Sequence, residues 1–168
     1  MRSTPTFGTG ADLMEADERG ELSDADFDDA LWLLLCERGV EIPADLDKFD
    51  EAVRVFYASR YMEWEVGNGG FAQAAYNIPD WFASAAWAYR QLGLEQAASL
   101  INRAEALLNE GEARGQKFDA VDIGELFQQF AESELAKLND LLDSAGWWAN
   151  DRRLAYVRAN RGAFKALS

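Results

Sequence analysis

The chain has 168 residues, no histidine, one cysteine, and 30 acidic against 16 basic side chains, giving a net charge of −14 and a pI near 4.3. Without imidazole or a second thiol it lacks most of the equipment for a metal centre or an activated nucleophile, and no disulfide can form within it. Its negative field opposes direct nucleic-acid contact and binding to anionic membranes, so basic proteins are the favoured class of partner.

Apolar residues make up 49% and aromatics 12%, with six Trp and ten Phe, enough for a folded core. Apolar positions recur at three and four and scarcely at two, which predicts an all-α fold: a single-domain bundle of six or seven helices around a Trp/Phe-rich core. The opening "MRSTPTFGTGADLMEADERG" has no apolar run of the kind a signal peptide needs, so a cytoplasmic location is expected. Residues 1–20, with Pro5, Gly8 and Gly10, are expected to be a flexible tail before one helical domain over 21–168.

"LSDADFDDALWLLLCERG" predicts a helix capped near Ser23 or Asp24, with Phe27, Ala30, Leu31, Leu34 and Leu35 inward, Gly39 as its stop and Cys36 as a core thiol. Pro43 and Asp45 then open a longer helix on which Phe49, Val53, Phe56, Arg60 and Trp64 form a stripe, ending at "GNGG". A short helix from about 70 to 76 follows, then "NIPD", in which Pro79 breaks the run and Asp80 is placed to cap "WFASAAWAYRQLG". That segment is apolar nearly all round, as a buried helix is; "LEQAASLINRAEALLNEG" pairs with it across Gly93, burying Leu94, Ala97, Ile101, Ala104 and Leu108.

Residues 111 to 121 read as a loop, and Asp122 with Glu125 has capping-box spacing before a helix through Leu126, Phe127 and Phe130. That helix continues or breaks near Ser133, and a last basic helix, roughly 150–166, carries Arg152, Arg153, Arg158, Arg161 and Lys165. In so acidic a chain this helix is expected to neutralise acids of its own chain. Trp147 and Trp148 precede it; an exposed pair of tryptophans would mark a partner surface.

The glycines at 67, 69 and 70 lack the preceding strand and the spacing of a phosphate-binding loop. They read as a corner, where Gly67 or Gly69 takes positive φ and Ala72, Ala74 and Ala75 let the chain approach Trp64, Trp81 and Trp87 closely; Asn68 and Asn77 are candidates to tie down free backbone groups. "NGGFAQAAYN" followed by "IPDWFASAAWAYRQLGLEQAASLINRAEAL" resembles the central signature of the bacterial DNA-mimic protein family, long catalogued as a domain of unknown function. The matching positions are Asn68, Gly69, Gly70, Phe71, Gln73, Tyr76, Asn77, Leu92 and Gly93, with a weaker match at "YVRANRGAF" and a departure at Ala74 and Ala75, where members often carry aromatics. The resemblance implies an all-helical domain and, for the member that names the family, an acidic surface that imitates the phosphate backbone and occupies a DNA-binding protein. The signature residues are structural, so the mimicking acids must be sought elsewhere.

Residues 1–50 hold 14 acids and 4 bases. Acids three or four apart on a helix have Cβ atoms about 5–6 Å apart, a row able to face a lysine- or arginine-lined groove. One such row combines Asp24, Asp28 and Asp29 with Asp47, Asp50 and Glu51, and a second combines Asp119, Asp122, Glu125, Glu132, Asp140 and Asp143. Two other readings stand beside mimicry. The acidity serves helix capping and solubility alone; or an aromatic pocket near Trp64, Phe71 and Trp81 binds a small molecule or supports carboxylate catalysis by Glu63 or Glu65, whose structural alternative is a buried pair with Arg60 or Arg90. No cofactor, metal or catalytic residue is expected, and homodimerisation stays open as a way to double the decoy.

Overall fold

The computed structural model describes residues 5–41, 43–113, 124 and 133–167. Among them the fold is all-α, with helices α1 (Gly10–Glu18), α2 (Asp24–Cys36), α3 (Glu51–Asn77), α4 (Phe82–Gln91), α5 (Glu95–Ala113), α6 (Glu134–Asn139), α7 (Asn150–Ala159) and α8 (Arg161–Lys165). Two 3-10 turns, Pro43–Lys48 and Pro79–Trp81, precede α3 and α4. No helix of the described residues is long and apolar enough to cross a membrane. The helix expected from Asp122 through Phe130 lies outside the described residues, as does most of the loop expected over 111–121, whose first three residues complete α5.

Contacts gather the chain into two compact units, Met1–Tyr57 with Asn150–Ser168, and Ala58–Ala149. In the first, α1 packs on α2 and α8, and α7 on α2. This corrects the expected tail over 1–20, whose second half is helix: Thr9 Oγ1 accepts from Asp12 N, Leu13 and Met14 are fully buried, and Gly10 N donates to Leu167 O at 2.7 Å. A Cβ at Gly10 would run into the Phe164 carbonyl, so the absent side chain lets α1 dock. The helix is only nine residues long and densely acidic, and its apolar content, Leu13, Met14 and Ala16, is too brief to register as a period.

Helix α2 follows its sequence pattern. Ser23 Oγ accepts from Asp26 N, and Phe27, Ala30, Leu31, Leu34 and Leu35 are buried. Cys36, expected in the core, is exposed at the last turn. Phe56 meets Phe164 edge-on at 6.3 Å, and Leu154 and Val157 of α7 are buried.

Helix α3 opens at Glu51 rather than Pro43, because the Asp50 carboxylate accepts from Ala52 N and leaves Phe49 in the preceding turn. The expected stripe holds at Val53 and Phe56 and then fails: Arg60 is half-buried and Trp64 is 52% exposed. Two successive steps of four residues overshoot whole turns by about 80°, which carries Trp64 off the buried face. Met62, Glu65 and Val66 take the inner positions instead.

In the second unit α4 and α5 form the most extensive pair. Gly93, at φ +73, closes α4: Leu94 N reaches back to Tyr89 O and Gly93 N to Arg90 O, satisfying carbonyls that the helix end leaves open. Ala97, Ile101, Ala104 and Leu108 are buried as expected, and Leu94 is half-buried. Asp80 does not cap α4; it sits in the 3-10 turn, and Trp81 precedes the helix without a side-chain cap. Ser133 does cap α6, accepting from Ala136 N. The aromatic core joins Phe71 to Phe82 (6.4 Å) and to Trp147 (5.4 Å), with Tyr89 stacked on Trp147 at 5.0 Å.

The basic C-terminal helix is two helices. Asn160 leaves helical geometry (φ −115, ψ 28) with its backbone N–H and its side-chain amide both donating to Tyr156 O, and α8 begins one residue later.

Candidate functional site

The glycine corner is a bend inside α3. Gly69 (φ −161, ψ 25) and Gly70 (φ 71, ψ −170) are the non-helical residues, and Gly70 lies in a region that only glycine occupies readily. Positive φ therefore falls on Gly70 and not on Gly67 or Gly69 as expected. A side chain there would collide with Asn139, whose Oδ1 accepts from Phe71 N at 3.1 Å. Asn139, at the end of α6, thus ties down the backbone group that Asn68 was expected to hold. Asn68 itself is exposed. No local pattern could have selected Asn139, which is 68 residues away.

The other signature amides serve a buried carboxylate. Gln73 and Asn77 both donate to Glu65 Oε2, at 3.1 and 2.8 Å, and Glu65 is 7% exposed. Among the described residues no cation pairs with Glu65, so the expected bridge to Arg60 or Arg90 is replaced by two amides across the bend. Arg60 lies over the Trp64 ring at 5.6 Å. Glu63 Oε2 accepts from Ala149 N at 2.6 Å, a backbone anchor. Tyr76 is exposed at 40%, and Phe71 is buried in the core.

The aromatics suggested for a pocket differ in placement, Phe71 and Trp81 being buried and Trp64 exposed. Phe71 faces Phe82 and Trp147, Trp81 faces Tyr61 at 5.2 Å, and Trp64 is outside. No group of three or more potential metal ligands occurs among the described residues.

The acids divide into those used inside the molecule and those at its surface. Asp28 is buried against Arg153 (3.3 Å), which corrects its assignment to a partner-facing row, since a carboxylate in that position reaches nothing outside. Asp24 is exposed but pairs with Arg158 at 2.6 Å. Arg158 also holds Asp17, as does Arg161 (2.8 and 2.7 Å), while Arg161 and Lys165 both reach Glu18. Burial pushes the Asp17 carboxyl up, yet the hydrogen bonds and charges of Arg158 and Arg161 outweigh it and hold the group below its ordinary value. The Asp17 and then Asp24 hydrogen bonds push the Arg158 guanidinium further up. The basic helices thus neutralise acids of their own chain. Asp17 and Glu18 join this network only because residues 10–18 form a helix where the sequence pattern predicts a tail.

Asp29, Asp47, Asp50 and Glu51 are exposed, with Asp47 3.4 Å from Arg54 and Asp50 capping α3. Tyr156 reports the local field: burial pushes its phenol up, and the charges of Glu51 and Asp50 push it further. In the second unit Asp140 and Asp143 are exposed just after α6, and Asp143 Oδ1 accepts from the Trp148 indole at 2.7 Å. Trp147 is fully buried, whereas Trp148 is 57% exposed. The remaining members of the second row, Asp119, Asp122, Glu125 and Glu132, lie outside the described residues.

No curated protein and no solved structure matches the chain. A family model described as DMP19-like protein matches residues 47–160, a span that contains the glycine bend, its amide-bound Glu65, and the α4–α5 pair. The chain belongs to the DMP19-like protein family.

Proposed function

We propose that this chain is a non-enzymatic, cytoplasmic, acidic protein-binding module that presents helix-borne carboxylates to a basic partner, and that it does so by imitating DNA to occupy a DNA-binding protein. The observation that carries this reading is the internal use of the basic helices. Arg153, Arg158, Arg161 and Lys165 pair with Asp17, Glu18, Asp24 and Asp28, while Asp29, Asp47, Asp50, Glu51, Asp140 and Asp143 are exposed on a chain of net charge −14. The pairing of these four cations within the chain leaves the acidic excess to be carried by carboxylates elsewhere on its surface. Surface carboxylates offered to a lysine- or arginine-lined groove would bind with fast, salt-sensitive association.

The test is capture from bacterial lysate on the immobilised chain at low salt, elution at high salt, and competition with duplex DNA. The expected result is one or a few basic DNA-binding proteins released by salt and displaced by duplex. The joint variant Asp47→Asn, Asp50→Asn, Glu51→Gln should capture less without loss of fold. Failure to retain any basic protein, or retention indifferent to duplex DNA, would overturn the mimic reading.

A further inference from the structure

We propose that the outward face of Trp148, with the Asp143 carboxylate beside it, is a docking point for an arginine side chain of a basic protein partner. The proposal deepens the acidic-module reading and rests on it, by assigning one contact and one preferred cation.

The ring is exposed and yet held from three directions. Trp147 is fully buried, stacked on Tyr89, and its carbonyl accepts from the Tyr89 hydroxyl at 3.1 Å. Ala149 N is bound to Glu63 at 2.6 Å. Between these anchors, the Trp148 indole N–H is fixed by Asp143, and its six-membered ring lies along the bare backbone of Gly67, where an added Cβ would come within 3.6 and 3.7 Å of Cζ3 and Cη2. A large apolar surface left 57% exposed while its orientation is fixed has the preorganisation typical of interface hot spots.

Chemistry selects the occupant. An aliphatic or aromatic group laid on this ring would strip water from the Asp143 carboxylate without supplying a cation. A guanidinium stacks flat on an indole and at the same time offers N–H groups to a neighbouring carboxylate, which a compact, strongly hydrated ammonium does less well. The same helix face shows the pairing already: Trp64, one turn before Gly67 and 52% exposed, carries the chain's own Arg60 guanidinium 5.6 Å from its ring centroid. Among the described residues no cation lies over Trp148.

The experiment titrates nona-arginine and nona-lysine peptides into the full chain at about 0.15 M salt. It reads affinity by calorimetry and the tryptophan indole N–H signals by NMR, with Trp148→Phe assigning the relevant peak. The expected result is that the Trp148 signal shifts on titration and that the arginine peptide binds about three- to fivefold tighter than the lysine peptide. Trp148→Ala should retain its helical circular dichroism and thermal transition, remove that preference, and leave lysine-peptide affinity nearly unchanged. If both peptides bind equally to the unmodified chain, or the Trp148 signal stays still, this inference falls while the acidic-module reading stands. If neither peptide binds, both fall. Sedimentation showing a dimer that Trp148→Ala dissociates would overturn the inference by assigning the face to a second copy of the chain.

Discussion

The Asp17 cluster offers the most quantitative test of how the chain uses its few cations. Asp17 accepts three charged hydrogen bonds, from Arg158 Nε (3.2 Å), Arg158 Nη2 (2.8 Å) and Arg161 Nη2 (2.7 Å), and its side chain is 3% exposed. Removing one member of a buried pair costs about 3–5 kcal/mol. Both guanidiniums are about one-third exposed, and Arg158 keeps Asp24, so solvent and the remaining carboxylate recover part of that loss. Asp17→Asn is therefore expected to lower stability by about 2–3 kcal/mol, or about 4–12 °C in melting temperature for a chain of this size. The exposed partner Asp24, mutated in the same way, should cost about 0–1 kcal/mol despite its shorter 2.6 Å contact.

The pH dependence fixes the mechanism. The folded-state pKa of Asp17 lies below its ordinary 3.8, so its contribution is complete above that value and is lost as pH falls through the lower folded value. Urea unfolding of the unmodified chain and Asp17→Asn should differ fully near neutral pH and converge in strong acid. A difference under about 0.5 kcal/mol at neutral pH, or one that persists undiminished in acid, would refute the reasoning.

Two further outcomes follow from the glycine bend and the Asp50–Glu51 edge. Gly70→Ala places a Cβ into Asn139 at a φ of +71 and should cost more than about 2 kcal/mol in thermal unfolding. Gly67→Ala, helical and with only ordinary contact to Trp148, should be neutral or stabilising by up to about 1 kcal/mol, and equal losses at the two sites would disprove the assignment of the bend to Gly70. Asp50→Asn with Glu51→Gln should bring the Tyr156 phenol pKa down toward its ordinary 10.0 without abolishing the upward push of burial; carbon NMR of the tyrosine rings measures this, and an unmoved Tyr156 would show that these carboxylates exert no field there.

The all-α class, the capped start and buried face of α2, the α4–α5 pair closed by Gly93, and the existence of a bend at "GNGG" are all legible in the order of residues. Each of these rests on local rules: a cap, a period or a missing Cβ acts within a turn or two of itself. Tertiary structure decided what the periodicity could not carry. The acidic segment before Gly20 becomes a helix because Gly10 lets it dock against Phe164 and Leu167, and the bend is pinned by Asn139 from far along the chain. Glu65 is buried because two amides meet it across that bend. The candidate acidic surface shows the same division. Charge and spacing identified the carboxylates, but a carboxylate's availability depends on which cation the fold brings to it. Asp28 is taken by Arg153, 125 residues away, and Trp148 stays outside while Trp147 fills the core. Those are distinctions between neighbours of identical chemistry, made only by the direction in which each side chain leaves the folded backbone.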